Sequence, residues 1–173
     1  MTKWMWRFSF LIVGACIFLG CNREKLPEGM PKLYPCTITI IQDGKPLSEA
    51  SITLHPEDST LLRWIPGGVT DRNGVCTVRT LGRYPGSMSG SFKVTVEKIE
   101  AEESSFPGDP PPGVDKGEWD RKREQEKLRA WRLVEKKYSS YLTTPLEMQV
   151  SAGKNSEKFD IGASVRDEIP TLN

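Results

Sequence analysis

One histidine, His55, occurs in the 173 residues. A lone imidazole leaves no partner for a multi-histidine metal centre and makes histidine-based catalysis hard to assemble. Cysteine is sparse as well: Cys16, Cys21, Cys36 and Cys76, with no Cys-x-x-Cys pair and so no redox motif. Charge of one sign is missing too, because 24 basic residues face 23 acidic ones. No overall field draws the chain to nucleic acid or selects acidic substrates. A long apolar run is also absent. Phe8 to Gly20, thirteen residues, falls short of the roughly 20 that a spanning helix needs. No catalytic residue, metal ligand set or cofactor motif emerges, and none is expected.

What is present begins with that short run. Lys3 and Arg7 precede it, which is the layout of a signal peptide over residues 1–20. Its end, Phe18-Leu19-Gly20-Cys21, resembles the lipobox of bacterial lipoproteins, with Phe18 where leucine is usual. Val13-Gly14-Ala15-Cys16 is a rival. Cleavage there would leave an apolar stub after a very short hydrophobic segment, whereas cleavage before Cys21 uses the whole run and the chain turns polar at once. The resemblance implies lipidation at Cys21 and a firm membrane attachment, because several acyl chains on one residue hold stably where one does not. A retained N-terminal anchor and an ordinary signal peptide are the alternatives. Taking Lys3 and Arg7 from the 24 basic residues leaves 22 against 23 acidic ones, a mature net charge of −1.

Residues 21–35 carry Pro27, Gly29, Pro31 and Pro35 without periodicity and read as a tether. About 14 extended residues reach roughly 45 Å, enough to lift a domain off the headgroups. From 36 to 162 the texture is that of strands. Cys36, Ile38 and Ile40 alternate with Thr37 and Thr39, and Asp43-Gly44 is a hairpin turn. Ile52 and Leu54 alternate before Pro56; Val69 precedes an Asp71-Arg72-Asn73-Gly74 turn; Cys76 and Val78 follow. Phe92, Val94 and Val96 form a further strand, as do Leu146, Met148 and Val150, then Phe159 and Ile161 after a Gly153 turn. About seven short strands with turn chemistry between them predict an all-β, Ig-like sandwich. Residues 163–173 read as a flexible tail.

An insertion over 100–141 interrupts the pattern. It opens with a Pro/Gly-rich loop containing Pro110-Pro111-Pro112, and residues 118–138 then predict a charged α-helix free of Gly and Pro. Leu128, Trp131, Val134 and Tyr138 would lie on one face. Nine basic residues against six acidic ones between 115 and 137 give a local excess of three. This helix either packs its stripe on the sandwich or offers Trp119, Trp131 and its basic face to a partner or membrane surface.

The order of these segments carries a second resemblance. "CTITIIQDGKPLSEASITLHP", "GGVTDRNGVCTVRT", "GSFKVTVEK" and "KYSSYLTTPLEMQVSAGKNSEKFDI" are similar to planctomycete-type lipoproteins with a carboxypeptidase regulatory-like, transthyretin-like (prealbumin-like) domain. The likeness covers about residues 33–162. It implies a seven-stranded prealbumin-like sandwich, export and lipid anchoring in the cell envelope, and no catalytic residues. Hydroxyisourate hydrolases on a related fold use paired histidines and a C-terminal Tyr-Arg-Gly-Ser. This chain has His55 alone and ends Glu-Ile-Pro-Thr-Leu-Asn.

The remaining candidates are each weighed against a plain structural role. His55 sits at a strand end, without a Ser/Asp partner motif. Cys36 and Cys76 both point inward by period. They pack either as two buried thiols or as a disulfide closing a 41-residue segment and contributing ~3–4 kcal/mol. The 71–74 turn is oxygen-rich like a calcium loop but lacks the rest of an EF-hand. Lys93, Lys154 and Asn155 offer the residue types of an isopeptide cross-link without an evident acid beside them. Trp64, Tyr84, Trp119 and Trp131 are candidate ligand-stacking aromatics, with Trp64 foremost. The expected function is that of a non-enzymatic, lipid-anchored cell-envelope protein: a structural or binding module, alternatively an accessory carbohydrate- or peptide-binding module, with an unrecognised hydrolase behind both. Its expected partners are the membrane, through Cys21, and an envelope protein or glycan, not nucleic acid.

Overall fold

A computed structural model describes residues 26–169. The signal segment, Cys21, the start of the tether and residues 170–173 lie outside the described residues. In chain order the strands are β1 (Leu33–Tyr34), β2 (Cys36–Gln42), β3 (Lys45–Pro46), β4 (Ser51–Pro56), β5 (Pro66–Val69), β6 (Val75–Thr77), β7 (Arg79–Thr80) and β8 (Tyr84–Pro85). They continue with β9 (Ser87–Met88), β10 (Gly90–Glu97) and β11 (Ile99–Ala101), and after helix α1 (Lys116–Gln125) with β12 (Ala130–Arg132), β13 (Glu147–Val150), β14 (Asn155–Asp160) and β15 (Asp167–Ile169).

The alternating sequence sets the layers. β2 buries Cys36, Ile38, Ile40 and Gln42 and leaves the residues between them half-exposed. β4 buries Ile52, Leu54 and Pro56, and β10 buries Phe92, Val94 and Val96. Between β2 and β3, Asp43 and Gly44 both take positive φ, 51° and 69°. That pair matches the right-handed twist of a two-residue hairpin, as Asp-Gly predicts. One sheet runs β13-β10-β4-β5-β7-β8, and a second runs β14-β2-β3 with β6 also on β2. Their inward side chains meet in a single core: Cys36, Ile38, Ile40 and Cys76 on one side, Ile52, Leu54, Phe92, Val94, Val96, Met148 and Val150 on the other. Two apolar faces closed on each other are the layered solution available to sheets. β14 pairs with β2 in parallel from Asn155↔Cys36 to Asp160↔Ile41, so the C-terminal part of the chain completes a sheet begun at its N-terminal end.

Several expectations change. The described residues form fifteen strand segments in four sheets, many only two or three residues long. The helix is Lys116–Gln125, not 118–138. Beyond it the chain is pulled straight. The Glu126 carboxylate accepts from Ser104 Oγ at 2.5 Å and Ser105 N at 2.8 Å, and the Glu102 carboxylate accepts from Arg129 N and Nε at 3.0 Å each. β12 is then paired on both edges, by β11 and by β15, which a helix cannot be. Val134 and Tyr138 do reach the core, but from extended chain and a 3-10 turn at Lys136–Ser139. The helical part buries no residue, so the packed-stripe reading fails for it. The tail is also revised, since Asp167–Ile169 pairs with β12. At the other end, Met30, Leu33 and Tyr34 already pack on the core and β1 pairs with β9, so the domain begins before Cys36.

Candidate functional site

Burying the even-numbered residues of β10 forces Ser91 and Lys93 to the outer side of the six-stranded sheet. The antiparallel register then fixes their neighbours. Ser91 lies opposite Gln149, and Lys93 lies between Glu147 on β13 and His55 on β4. Ser91 Oγ donates to Gln149 Oε1 at 2.6 Å, and the Lys93 ammonium donates to the Glu147 carboxylate. That bond, first among the causes, raises the Lys93 pKa, with further support from the nearby Glu147, Glu57 and Tyr141. His55 Nε2 lies 3.0 Å from Thr95 Oγ1, and burial pushes the imidazole pKa below its ordinary value, so the ring is neutral at pH 7. Tyr141, from the loop before β13, sets its ring 5.6 Å from the imidazole at 56°. Next to it, Leu142 is 87% exposed.

At the Gln149 end of this face is a surface cavity of about 310 Å³ lined by Glu57, Ser91, Phe92, Glu147, Met148 and Gln149. The Phe92 and Met148 side chains belong to the core. Its polar side chains are therefore two carboxylates, a hydroxyl and an amide. His55 has a hydroxyl partner and no carboxylate to orient it among the described residues. This arrangement suits recognition by hydrogen bonds better than proton transfer, which needs a positioned acid–base pair. Among the described residues, no three His, Cys, Asp or Glu side chains group to hold a metal ion.

The aromatic candidates do not gather there. Trp64 is only 6% exposed and belongs to the core, with the Arg63 guanidinium 4.2 Å above its ring. It is not a stacking platform, and the expectation for it is overturned. Tyr84 is buried too. Trp119 is half-buried, edge-on to Phe106 at 5.1 Å, and donates from Nε1 to the Gly108 carbonyl at 3.3 Å. Trp131, on β12, lies under the guanidinium groups of Arg166 at 4.4 Å and Arg129 at 5.6 Å. Each of these three tryptophans is already engaged by its own neighbourhood. Tyr141 and Leu142 were missed because nothing local distinguishes "SSYLTTP" from any polar loop. Gln149 and Glu147 follow from reading the outward phase of β13, but their neighbours depend on register across 54 to 58 residues.

The cysteines are free and buried. β6 sets Cys76 opposite Ile38, so Cys36 and Cys76 are diagonal rather than facing, and of the two alternatives it is the pair of buried thiols that is present, not the bridge. Diagonal Cα atoms are ~7–8 Å apart, beyond disulfide reach. Burial pushes Cys36 up to about 12, with Cys76 nearby adding to the rise, and pushes Cys76 up to about 11. Asp71 spends Oδ1 on the backbone N–H groups of Asn73 and Val75, at 2.8 and 2.9 Å, making the 71–74 segment a tight turn. Asn155 donates to the carbonyls of Ser151 and Gly153, and Lys93 is held by Glu147, so no lysine–asparagine cross-link is prepared. Cys21 lies outside the described residues, and among the described residues no helix is long and apolar enough to cross a membrane. Set beside protein-family models, curated proteins and solved structures, the chain matches none of them.

Proposed function

We propose that this chain is an exported, non-enzymatic binding module of the cell envelope, held to a membrane by a lipid at Cys21, with the outer face of β13-β10-β4 turned to a ligand. The observation that carries the binding role is the in-register row of hydrogen-bonding side chains there. Ser91–Gln149 and Lys93–Glu147 face each other in register, His55 faces Lys93 from the other side and contacts the buried Thr95 on the diagonal, and an exposed Tyr141 and Leu142 stand beside His55. Side chains mounted on a rigid sheet are pre-organised, which lowers the ordering cost of binding. The anchor rests on the sequence: a basic start, a short apolar run, and a cysteine where polarity begins. In this reading β2, β4, β5, β6, β10, β13 and β14 are the seven strands of a prealbumin-like sandwich, and the shorter strands decorate it. The resemblance to planctomycete-type lipoproteins fits the same picture.

The test of the anchor is the intact mass of the native protein taken from a membrane fraction. The expected mass is that of residues 21–173 plus acyl chains, and Cys21→Ala is expected to move the protein out of the membrane fraction. A mass equal to the full chain would replace the lipid by a retained N-terminal anchor.

A further inference from the structure

We infer that the ligand of the β13-β10-β4 face is a neutral, polyhydroxylated chain, a glycan without acidic sugars. This deepens the binding reading and rests on it. The argument is one of complementarity. Donors and acceptors interleave along the row. The Gln149 side chain receives the Ser91 hydroxyl on its oxygen and keeps its amide hydrogens to offer. The Lys93 ammonium spends one donor on Glu147 and has three in all. Glu147 retains its second oxygen, and Glu57, on the cavity wall, has no donor among the described residues. A vicinal diol both donates and accepts, so neighbouring hydroxyls can bridge a carboxylate to an ammonium or amide. A phosphate or carboxylate ligand only accepts, and would meet Glu57 and Glu147 with Lys93 already paired. A polycation would be held off by Lys93. Lys93 is already matched by Glu147 and Glu57 is the one charge left over, on an open cavity wall, so an uncharged ligand can hydrogen-bond along the row without adding a charge that has no partner there.

The row also has a set length and an apolar flank. From Ser91 to Lys93 the exposed part of the strand covers about 7 Å at ~3.4 Å per residue, room for one to two sugar rings, and Thr95 beyond it is buried. Tyr141, 46% exposed, lies against His55, the cross-strand neighbour of Lys93, and with Leu142 next to it in the chain offers apolar surface to the C–H face of a pyranose.

The experiment uses the full chain, ¹⁵N-labelled and held in detergent micelles. It is titrated separately with neutral hexasaccharides of glucose, mannose and N-acetylglucosamine, with a hexauronate, and with an alternating Thr-Val hexapeptide. Saturable amide shifts at Ser91, Lys93, Glu147 and Gln149 are expected with a neutral glycan and not with the uronate. Gln149→Ala and Tyr141→Ala are each expected to weaken binding by about tenfold, the scale of one lost hydrogen bond or ring contact. Trp119→Ala, on α1, leaves it unchanged. Shifts at those amides with the peptide or the uronate but not with neutral glycans overturn the glycan assignment and leave the binding face standing. Glycan shifts that map elsewhere overturn the site. No shift with any probe overturns the glycan and the binding face together.

Discussion

Trp64 and His55 separate two jobs that a single residue can hold in a small β domain. The Trp64 side chain fills core volume, and removing it leaves a cavity that neighbours on fixed strands cannot close. Trp64→Ala is expected to cost ~3–5 kcal/mol, read as a lower urea midpoint with an unchanged slope. A loss under ~1 kcal/mol would return Trp64 to the surface. His55 acts through its proton. Burial holds its folded pKa below the unfolded value of about 6.5, so the unfolded chain binds more protons in that window. Stability therefore falls as pH drops from about 6.5 through the folded value, and His55 contributes no slope above it. The groups facing the ring are Lys93 on the adjacent strand, Thr95 and Tyr141, none of which offers a carboxylate to favour the cation. Urea midpoints between about pH 7.5 and 5 should fall less for His55→Gln than for the native chain. Equal falls would mean the ring is not desolvated. Alternation alone revealed that Cys36, Ile38, Leu54 and Val94 point inward. It had no power over Trp64, because "LLRWIPGG" has no period and what covers the ring comes from elsewhere in the chain.

The segment 102–129 shows what an element can be when little of it is packed. It leaves the sheet at Ala101 and returns at Ala130, two residues that face each other in the β11–β12 ladder. Within it, Asp115 Oδ1 caps α1 by accepting from Glu118 N at 2.8 Å, and Glu118–Lys122 and Asp120–Arg123 pair along the helix surface. Trp119 and Phe106 give the arm a contact of its own. A helix that buries nothing draws its stability from these local terms. Lys122→Pro, which removes a helical hydrogen bond and clashes with the preceding turn, is expected to abolish the α1 circular-dichroism signal. The global urea midpoint should move by no more than about 0.5 kcal/mol, as for a surface site. A large fall would show that the arm supports the sandwich. The sequence made this helix too long for a reason that is physical. Leu128, Trp131, Val134 and Tyr138 have helical spacing, but aromatic and β-branched residues serve an extended chain equally well. The choice was made by Glu102, Ser104 and the two three-residue strands β11 and β15, none of which announces itself.

At the scale of the molecule the decisive contact is between the ends of the domain. β14 lies parallel to β2 over six residue pairs, and sequence separations near 120 make it one of the most non-local pairings in the fold. Turn chemistry could announce the β2–β3 hairpin from two residues, but no local signal predicts a parallel partner so far away. Topologies dominated by such contacts pay loop-closure entropy before they gain stability, and they fold on the slower, millisecond-to-second side. The pairing also closes the core. Ile161, just past β14, is 1% exposed and donates its N–H to the Ile41 carbonyl at 2.9 Å, while Asn155 N donates to the Pro35 carbonyl at 2.9 Å. A chain ending at Ala152 loses this cover and leaves the outer edge of β2 with unpaired backbone groups, an edge prone to association. Such a chain is expected to show no cooperative urea transition and to self-associate in sedimentation. Because β13 and the row on its outer face are still present, the truncation also asks whether the face is held by the six-stranded sheet alone. If the shortened chain unfolds cooperatively as a monomer, β14 is an accessory strand and the binding face needs only its own sheet. If it does not, the face exists only once the second sheet has been sealed by the last long strand, and ligand binding reports on the integrity of the whole domain.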